Sequence, residues 1–586
     1  MKRVRLNVRI TGWFQTLTPQ QRAWFPYLAL ALAVFAAYSN VYQNSFVWDD
    51  WYLVVYNDSL RHWSGLYHIL FKNTLGPYYR PIQALFYFVV YQIFGLSEAA
   101  FHGANVLLQA ANTCLMYRLG CRLGFYQRAS FTAALLWGIH PLGIEAAAVV
   151  AGTADILVGS FCMMGLLVLL PAFAPRRSGA EQISGAFAPR KFLLASLIFV
   201  LALCSKESSI VFPALVTFTL FLVSKERLRP ATYLRTWPLW LLVSAYLIGW
   251  SMCPALNNGF AGYLIKTGSY TEDYEHNFIN RVITSFATLP TYLGLIVVPT
   301  KLHLAWDFPI FKTVWDWQVI AGAVIVAAAL LQIIWGRGKR GLPLTWALLW
   351  FAAALSPYTG ILKAIDGRLS EHWIYLPTIG LFLGVSQTVV VWMDALRSKK
   401  YFRKVPVIVA GLVTLATLGL GIETYLQNKI LRNGGSMFED IIKDNPTVWA
   451  HYGLGVYYFG QKEYDKAVEQ WLDVEADSEY TQYLNKGGKT FMHNSLAFIY
   501  LNALSDKSSL SLPEIIHALP SSNHIPEAIE ELKLAQKADP DACCASAFLA
   551  GIYYYLGDKD HGDYYRDIAD RAAAKNKTDT DQHAGN

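Results

Sequence analysis

The sequence predicts an all-α polytopic membrane protein followed by a soluble helical-repeat domain, and three observations carry that prediction. Its 586 residues are 54% hydrophobic and only 16% charged, against roughly 25% charged in a soluble globular chain. The apolar residues fall in runs near the roughly 20 needed to cross a bilayer as a helix. From Arg432 onward charges return and apolar residues take helical spacing. Together these exclude a cytosolic enzyme, a disordered scaffold and a disulfide-stapled secreted domain.

Residues 1–22 carry Lys2, Arg3, Arg5, Arg9 and Arg22 and read as a cytoplasmic segment ahead of a signal anchor over 23–42. Further apolar runs lie at about 100–118, 129–148, 152–172, 191–205, 208–224, 236–254, 281–299, 317–335, 343–361, 373–393 and 405–425. Orientation follows from the short basic loops, which belong in the cytoplasm. These are Arg118/Arg122/Arg128, Arg176/Arg177/Arg190/Lys191, Lys225/Arg227/Arg229, Arg337/Lys339/Arg340 and Arg397/Lys399/Lys400/Arg403/Lys404. The loops at 44–99, 144–151, 205–207, 255–316 and 362–372 then face outward. Arg80–Gly95 and 281–299 break this alternation and read as outer-side juxtamembrane or re-entrant helices. That leaves about 11–12 spans within a membrane domain of residues 23–427, and everything after Gln427 outside. The net charge of +7 reports topology; no basic, aromatic-interleaved face suited to nucleic acid is present. The 7 cysteines show no spacing for zinc or a redox pair.

The outer domain, residues 428–575, has helical pairs with small residues at close-packing offsets. Leu454, Gly455, Tyr458, Tyr464, Ala467 and Trp471 form a first unit. Leu496, Ala497, Tyr500, Ala528, Leu532, Ala535 and Pro540 form a second, and Leu549, Ala550, Tyr553, Gly557 and Ala569 a third. These offsets match tetratricopeptide repeats, which build concave protein-binding surfaces; a plain helical hairpin bundle is the alternative. Residues 576–586 read as a disordered polar tail.

The chemistry-bearing residues gather on the outer side. Asp49 and Asp50 lie within Phe46-Val47-Trp48-Asp49-Asp50-Trp51-Tyr52, just past the first span. A carboxyl at a membrane edge is costly to desolvate, which raises its pKa toward the range of a general base. One of the pair suits proton abstraction and the other a supporting role; an N-cap pair opening a surface helix is the plainer reading. Glu145 and Asp155, after His140-Pro141, are ionisable groups near the same edge, with a polar lock between helices as the alternative. Lys206-Glu207, Arg80 and the Arg368 to His372 stretch, with Glu371, add cations suited to a phosphate; ion pairing among themselves is the competing role. No glycine-rich nucleotide loop is evident.

The ordered set Phe46–Asp50, Tyr79-Arg80-Pro81, Phe101-His102-Gly103-Ala104-Asn105, His140-Pro141 through Glu145 and Asp155, Ser205-Lys206-Glu207, Glu371 through Tyr375-Leu376-Pro377, and Arg432-Asn433 resembles the transmembrane and tetratricopeptide-repeat O-mannosyltransferases. These are GT-C membrane glycosyltransferases. The resemblance spans nearly the whole chain. Where that family commonly carries Gly-Arg-Ala-Asp, this chain has Gly152-Thr153-Ala154-Asp155.

The resemblance implies a GT-C fold, a polyprenyl-phosphate-linked sugar donor (undecaprenyl in a bacterium), and inverting transfer to an extracytoplasmic Ser/Thr hydroxyl. Asp49 and Asp50 are then the catalytic candidates. Arg80, Lys206, Arg368 and His372 are candidates for the donor phosphate, and His102, His140, Glu145, Asp155, Glu207 and Glu371 for other polar roles. No protein ligands for a metal stand out, and a divalent-metal requirement stays open. The expected acceptor is an exported protein, for example a pilin, presented by the repeats. The short repeat array and the lack of a retention tail favour a bacterial inner membrane with periplasmic repeats over the endoplasmic reticulum. The rivals are a membrane-anchored binding or assembly protein without catalysis, a lipid-linked-sugar flippase, and the same enzyme acting on a glycan or lipid.

Overall fold

A computed structural model describes residues 18–584 except 73–77, 174–188, 225–229, 253–273, 397–403, 478–483, 503–523 and positions 275, 301, 307, 337, 339, 363, 366, 445 and 485. The basic groups Arg176/Arg177, Lys225/Arg227/Arg229, Arg337/Lys339 and Arg397/Lys399/Lys400/Arg403, and most of the 255–316 loop before residue 274, lie outside the described residues. Two units divide after Asn433, slightly beyond the boundary expected at Gln427.

In the first unit the helices are α1 (Pro19–Ala37), α2 (Gly65–Phe71), α3 (Pro81–Phe94), α4 (Glu98–Arg122), α5 (Gln127–Gly138), α6 (Thr153–Phe173), α7 (Pro189–Leu203), α8 (Phe212–Val223), α9 (Trp237–Met252), α10 (Phe278–Val297), α11 (Trp317–Trp335), α12 (Leu342–Leu355), α13 (Tyr375–Leu396) and α14 (Val405–Ile430). Each apolar run of the sequence thus carries a helix. Among the described residues five helical segments are long and apolar enough to cross a membrane: Pro19–Gln43, Val150–Leu170, Trp317–Trp335, His372–Leu396 and Val405–Ile430; four shorter apolar helices accompany them. α3 has 14 residues, roughly 21 Å at 1.5 Å per residue, shorter than a hydrocarbon core of about 30 Å.

One expected run is broken. The stretch 129–148 is interrupted after Gly138, because Pro141 has no N–H to continue the ladder and starts a 3₁₀ turn, Pro141–Gly143, before one further helical turn, Ile144–Ala147. The backbone groups released there need partners, since unpaired polar groups are costly away from water. α4 supplies them. Asn105 Nδ2 donates to Val149 O at 3.1 Å and Gln109 Nε2 to Gly138 O at 3.3 Å, while Asn112 Nδ2 donates to Ile156 O, within the first turns of α6, at 2.9 Å. All three amides are fully buried. Their i, i+4, i+7 spacing puts them on one face of α4, which packs against α5 and α6.

The second unit contains α15 (Gly434–Asp444), α16 (Val448–Gly460), α17 (Tyr464–Ala476), α18 (Lys486–Asn502), α19 (Ile525–Ala538), α20 (Cys543–Tyr555) and α21 (Lys559–Ala584). α16/α17, α18/α19 and α20/α21 pack as pairs, in the register the repeat offsets predict. Gly455 shows why a small residue is needed there: a Cβ would sit 2.3 Å from the Trp471 indole nitrogen. The tail is corrected by the structure. Residues 576–584, expected to be disordered, continue α21 to Ala584. The Ala572–Ala574 run favours helix, and the i, i+4 pair Arg571–Asp567 at 3.1 Å adds support.

Candidate active site

The candidate site begins where the chain leaves α1. Trp48 takes a left-handed backbone, φ 54°, unusual for a bulky residue and typical of strained functional loops. This turn sends the next two carboxylates to different places. Asp50 is fully buried. Its Oδ1 accepts from Ala151 N at 2.6 Å and its Oδ2 from Val47 N at 3.1 Å. Burial pushes its pKa to about 7, although the Val47, Ala151 and Val150 amides hold it down. Asp50 does not cap the turn that follows it, so the N-cap reading fails for this pair.

Asp49 is exposed. Among the described residues its carboxylate makes no hydrogen bond or ion pair. The protein packed around it raises its pKa, and the Arg80 and His372 charges pull it back. The pair therefore divides into one anchored and one available carboxylate.

Asp50 locks the outer loop to the turn Val150–Gly152, and α3 braces that turn through Tyr87 OH to Val150 O at 2.9 Å and Gln83 Nε2 to Ala151 O at 3.1 Å. Gly152 is required there, because a Cβ would lie 2.4 Å from Glu145 O. The turn opens α6, whose first-turn Asp155 receives Lys206 Nζ at 2.8 Å on both oxygens; both side chains are nearly buried. Lys206 Nζ also lies 5.6 Å from the Tyr358 ring centre. Next to it, Glu207 accepts Arg80 Nε at 3.0 Å and Nη2 at 2.6 Å, a bidentate pair. The Arg80 guanidinium stacks 4.1 Å over the Tyr78 ring. Arg80 and Lys206 are thus each held by one carboxylate, Glu207 and Asp155.

The third wall is the segment before α13. His372 Nδ1 lies 2.6 Å from Glu145 Oε1 and 2.7 Å from Ser370 Oγ, and its backbone N–H donates to Glu145 Oε2 at 2.8 Å. Its Nε2 makes no hydrogen bond among the described residues.

Four other expected site residues bond mainly to backbone groups. His140 accepts from Leu142 N at Nδ1 and meets Ile296 O at 3.0 Å through Nε2, which requires the neutral Nε2–H tautomer. His102 Nε2 lies 3.3 Å from Ser45 O. Buried Glu371 accepts His303 N at 2.7 Å and Trp306 Nε1 at 3.1 Å; burial and Glu145 raise its pKa well above the ordinary value. Arg368 Nε donates to Phe308 O. Sequence reasoning missed Ser370, Tyr78 and Tyr358. Only Ser370 carried a signal, as the neighbour of Glu371-His372.

No family model matches the chain. Curated proteins do. It is 25% identical over 406 residues to Protein O-mannosyl-transferase TMTC4 of Homo sapiens, covering 60% of this chain and 54% of that protein. It is 22% identical over 469 residues to Protein O-mannosyl-transferase F38B6.6 of Caenorhabditis elegans, covering 76% and 62%. With Protein O-mannosyl-transferase TMTC1 of Mus musculus it shares 30% over 212 residues, 34% of this chain and 22% of that one. The alignments thus span about half the length of the curated relatives, which are of the kind the ordered motifs resemble. Among solved structures it is similar to the archaeal oligosaccharyltransferase AglB of Archaeoglobus fulgidus, in complex with an inhibitory peptide and a dolichol-phosphate (TM-score 0.39, 12% identity, 74% of this chain and 60% of that one). It is also similar to ArnT of Cupriavidus metallidurans bound to undecaprenyl phosphate (TM-score 0.38, 14% identity, 87% and 88%).

Proposed function

We propose that the chain is a membrane glycosyltransferase of the GT-C kind. It moves a sugar from a polyprenyl-phosphate-linked donor to the hydroxyl of an extracytoplasmic acceptor, a protein Ser/Thr, with inversion. The observation that carries this reading is the uncommitted Asp49 carboxylate, open to solvent, under the influence of Arg80 and His372. Asp49 takes the acceptor proton as its oxygen attacks the anomeric carbon. The bond from that carbon to the phosphate oxygen breaks, and the polyprenyl phosphate leaves with the electron pair. Arg80 and the Nε2 side of His372 stabilise the charge on that phosphate. Glu207, Asp155 and Glu145 position Arg80, Lys206 and His372, and Asp50 positions Asp49 by fixing the loop.

The relatives' names support mannose as the first donor to try. The repeat domain would present the acceptor, and the outward loops, site and repeats would share the periplasmic side of a bacterial inner membrane. The test uses the full chain in detergent, a radiolabelled short-chain polyprenyl-phosphate mannose and Ser/Thr-rich peptides. Labelled peptide should form with the wild type and fall to background with Asp49→Asn of unchanged thermal stability. Full transfer by that variant would overturn the assignment of the base. Removing residues 434–586 should abolish transfer to folded protein acceptors; retention would favour a glycan or lipid acceptor.

A further inference from the structure

The repeat domain holds a second cluster of ionisable groups that transfer chemistry does not use. Glu475 at the end of α17, His493 within α18 and Glu531 within α19 converge from three helices, their ligand atoms all within 4.8 Å of one another. His493 is buried, at 2% side-chain exposure, and Glu531 nearly so at 11%. His493 Nδ1 lies 2.7 Å from Glu531 Oε2 and 3.3 Å from Glu475 Oε1.

The arrangement is incomplete as an ion-pair triad. Nδ1 carries at most one proton, and it is directed to Glu531. Glu475 Oε1 is enclosed yet accepts no hydrogen bond among the described residues. A buried carboxylate oxygen without a donor is costly, and two carboxylates facing one imidazole leave excess negative charge. A divalent cation in place of the shared proton would answer both problems. It would take the Nδ1 lone pair and one oxygen from each carboxylate, with charges that cancel.

We infer that Glu475, His493 and Glu531 form a zinc site that joins the first helix pair of the repeat domain to the second. One imidazole and two carboxylates are borderline N/O donors, suited to Zn²⁺ rather than to Ca²⁺ or Mg²⁺, which take all-oxygen shells. Tetrahedral zinc at 2.0–2.1 Å needs ligand atoms about 3.3 Å apart, so closing the site requires only small side-chain shifts. Solvent holds the fourth position, on the side where Glu475 is 23% exposed.

The test is zinc titration of the tag-free full chain in detergent, by competition with a chromophoric chelator, with thermal unfolding in parallel. One equivalent should bind per chain and raise the unfolding midpoint. X-ray absorption should show an N/O shell with one imidazole. Glu475→Gln, at the partly exposed end and least disruptive to packing, should weaken binding at least tenfold, and His493→Ala should abolish it. Absence of stoichiometric binding by the wild type, or equal binding by both variants, would overturn the inference.

Discussion

Two polar regions of the membrane unit lie side by side and are built differently. The ladder on α4 consists of neutral amides, each fully buried and each donating to a backbone carbonyl of the chain between Gly138 and Ile156. The outer cluster consists of charges: Arg80 with Glu207, Lys206 with Asp155, His372 with Glu145, and Asp49 without a partner among the described residues. A buried network that closes on itself is architecture. A network of paired cations beside an uncommitted carboxylate has the form that the proposed transfer site requires. The difference teaches that residue type alone, a polar group near a membrane, does not separate the two; what each group is already bonded to does.

The comparison can be broken from both sides. The largest effect belongs to Asp49→Asn, which should cost about 10²–10⁴-fold in the rate of transfer, the usual share of a general base, with the unfolding midpoint unmoved. Arg80→Lys keeps the charge but not the bidentate fork held by Glu207; a loss of roughly tenfold or more is expected, measured as kcat with donor saturating. On the architectural side, Asn105→Leu leaves Val149 O and Thr153 Oγ1 without their α4 partner. It should destabilise the protein by about 1–3 kcal/mol while the folded fraction transfers normally. A collapse of turnover at full stability would erase the distinction drawn between the regions.

Two smaller effects concern pH. Transfer should rise with pH through the Asp49 pKa, which lies above the ordinary 3.8, because the base acts ionised. Asp50 supplies the stability counterpart. Its folded pKa of about 7 exceeds the unfolded 3.8, so its contribution is fully present below about pH 4 and is lost as pH rises through 7. The fall in unfolding midpoint between pH 5 and 8 should be shallower in Asp50→Asn, by thermal denaturation in detergent.

Much of this was legible in the sequence. Apolar runs located the helices of the first unit, and small-residue offsets located the helix pairs of the second. The Asp49–Asp50 pair, Arg80, Lys206 and His372 were legible as candidates because charges are rare beside apolar spans. Their partnerships were not, since they join distant positions: Arg80 to Glu207 is 127 residues apart and Asp50 to Ala151 101. The different placement of the two aspartates follows the left-handed Trp48, which no residue-type preference announces. The backbone partners of His102 and His140, Ser45 O and Ile296 O, lie 57 and 156 residues away and were likewise not legible. The Glu475–His493–Glu531 convergence was hidden because its ligands come from three helices at no recognisable metal spacing.

The most direct test sets the two aspartates against each other: single-turnover transfer by Asp49→Asn and Asp50→Asn, normalised to folded protein. Asp49→Asn should lose about 10²–10⁴-fold, with Asp50→Asn within about tenfold of wild type once its lower stability is accounted for. A near-normal Asp49→Asn beside a dead but folded Asp50→Asn would contradict the assignment of the available carboxylate as the base.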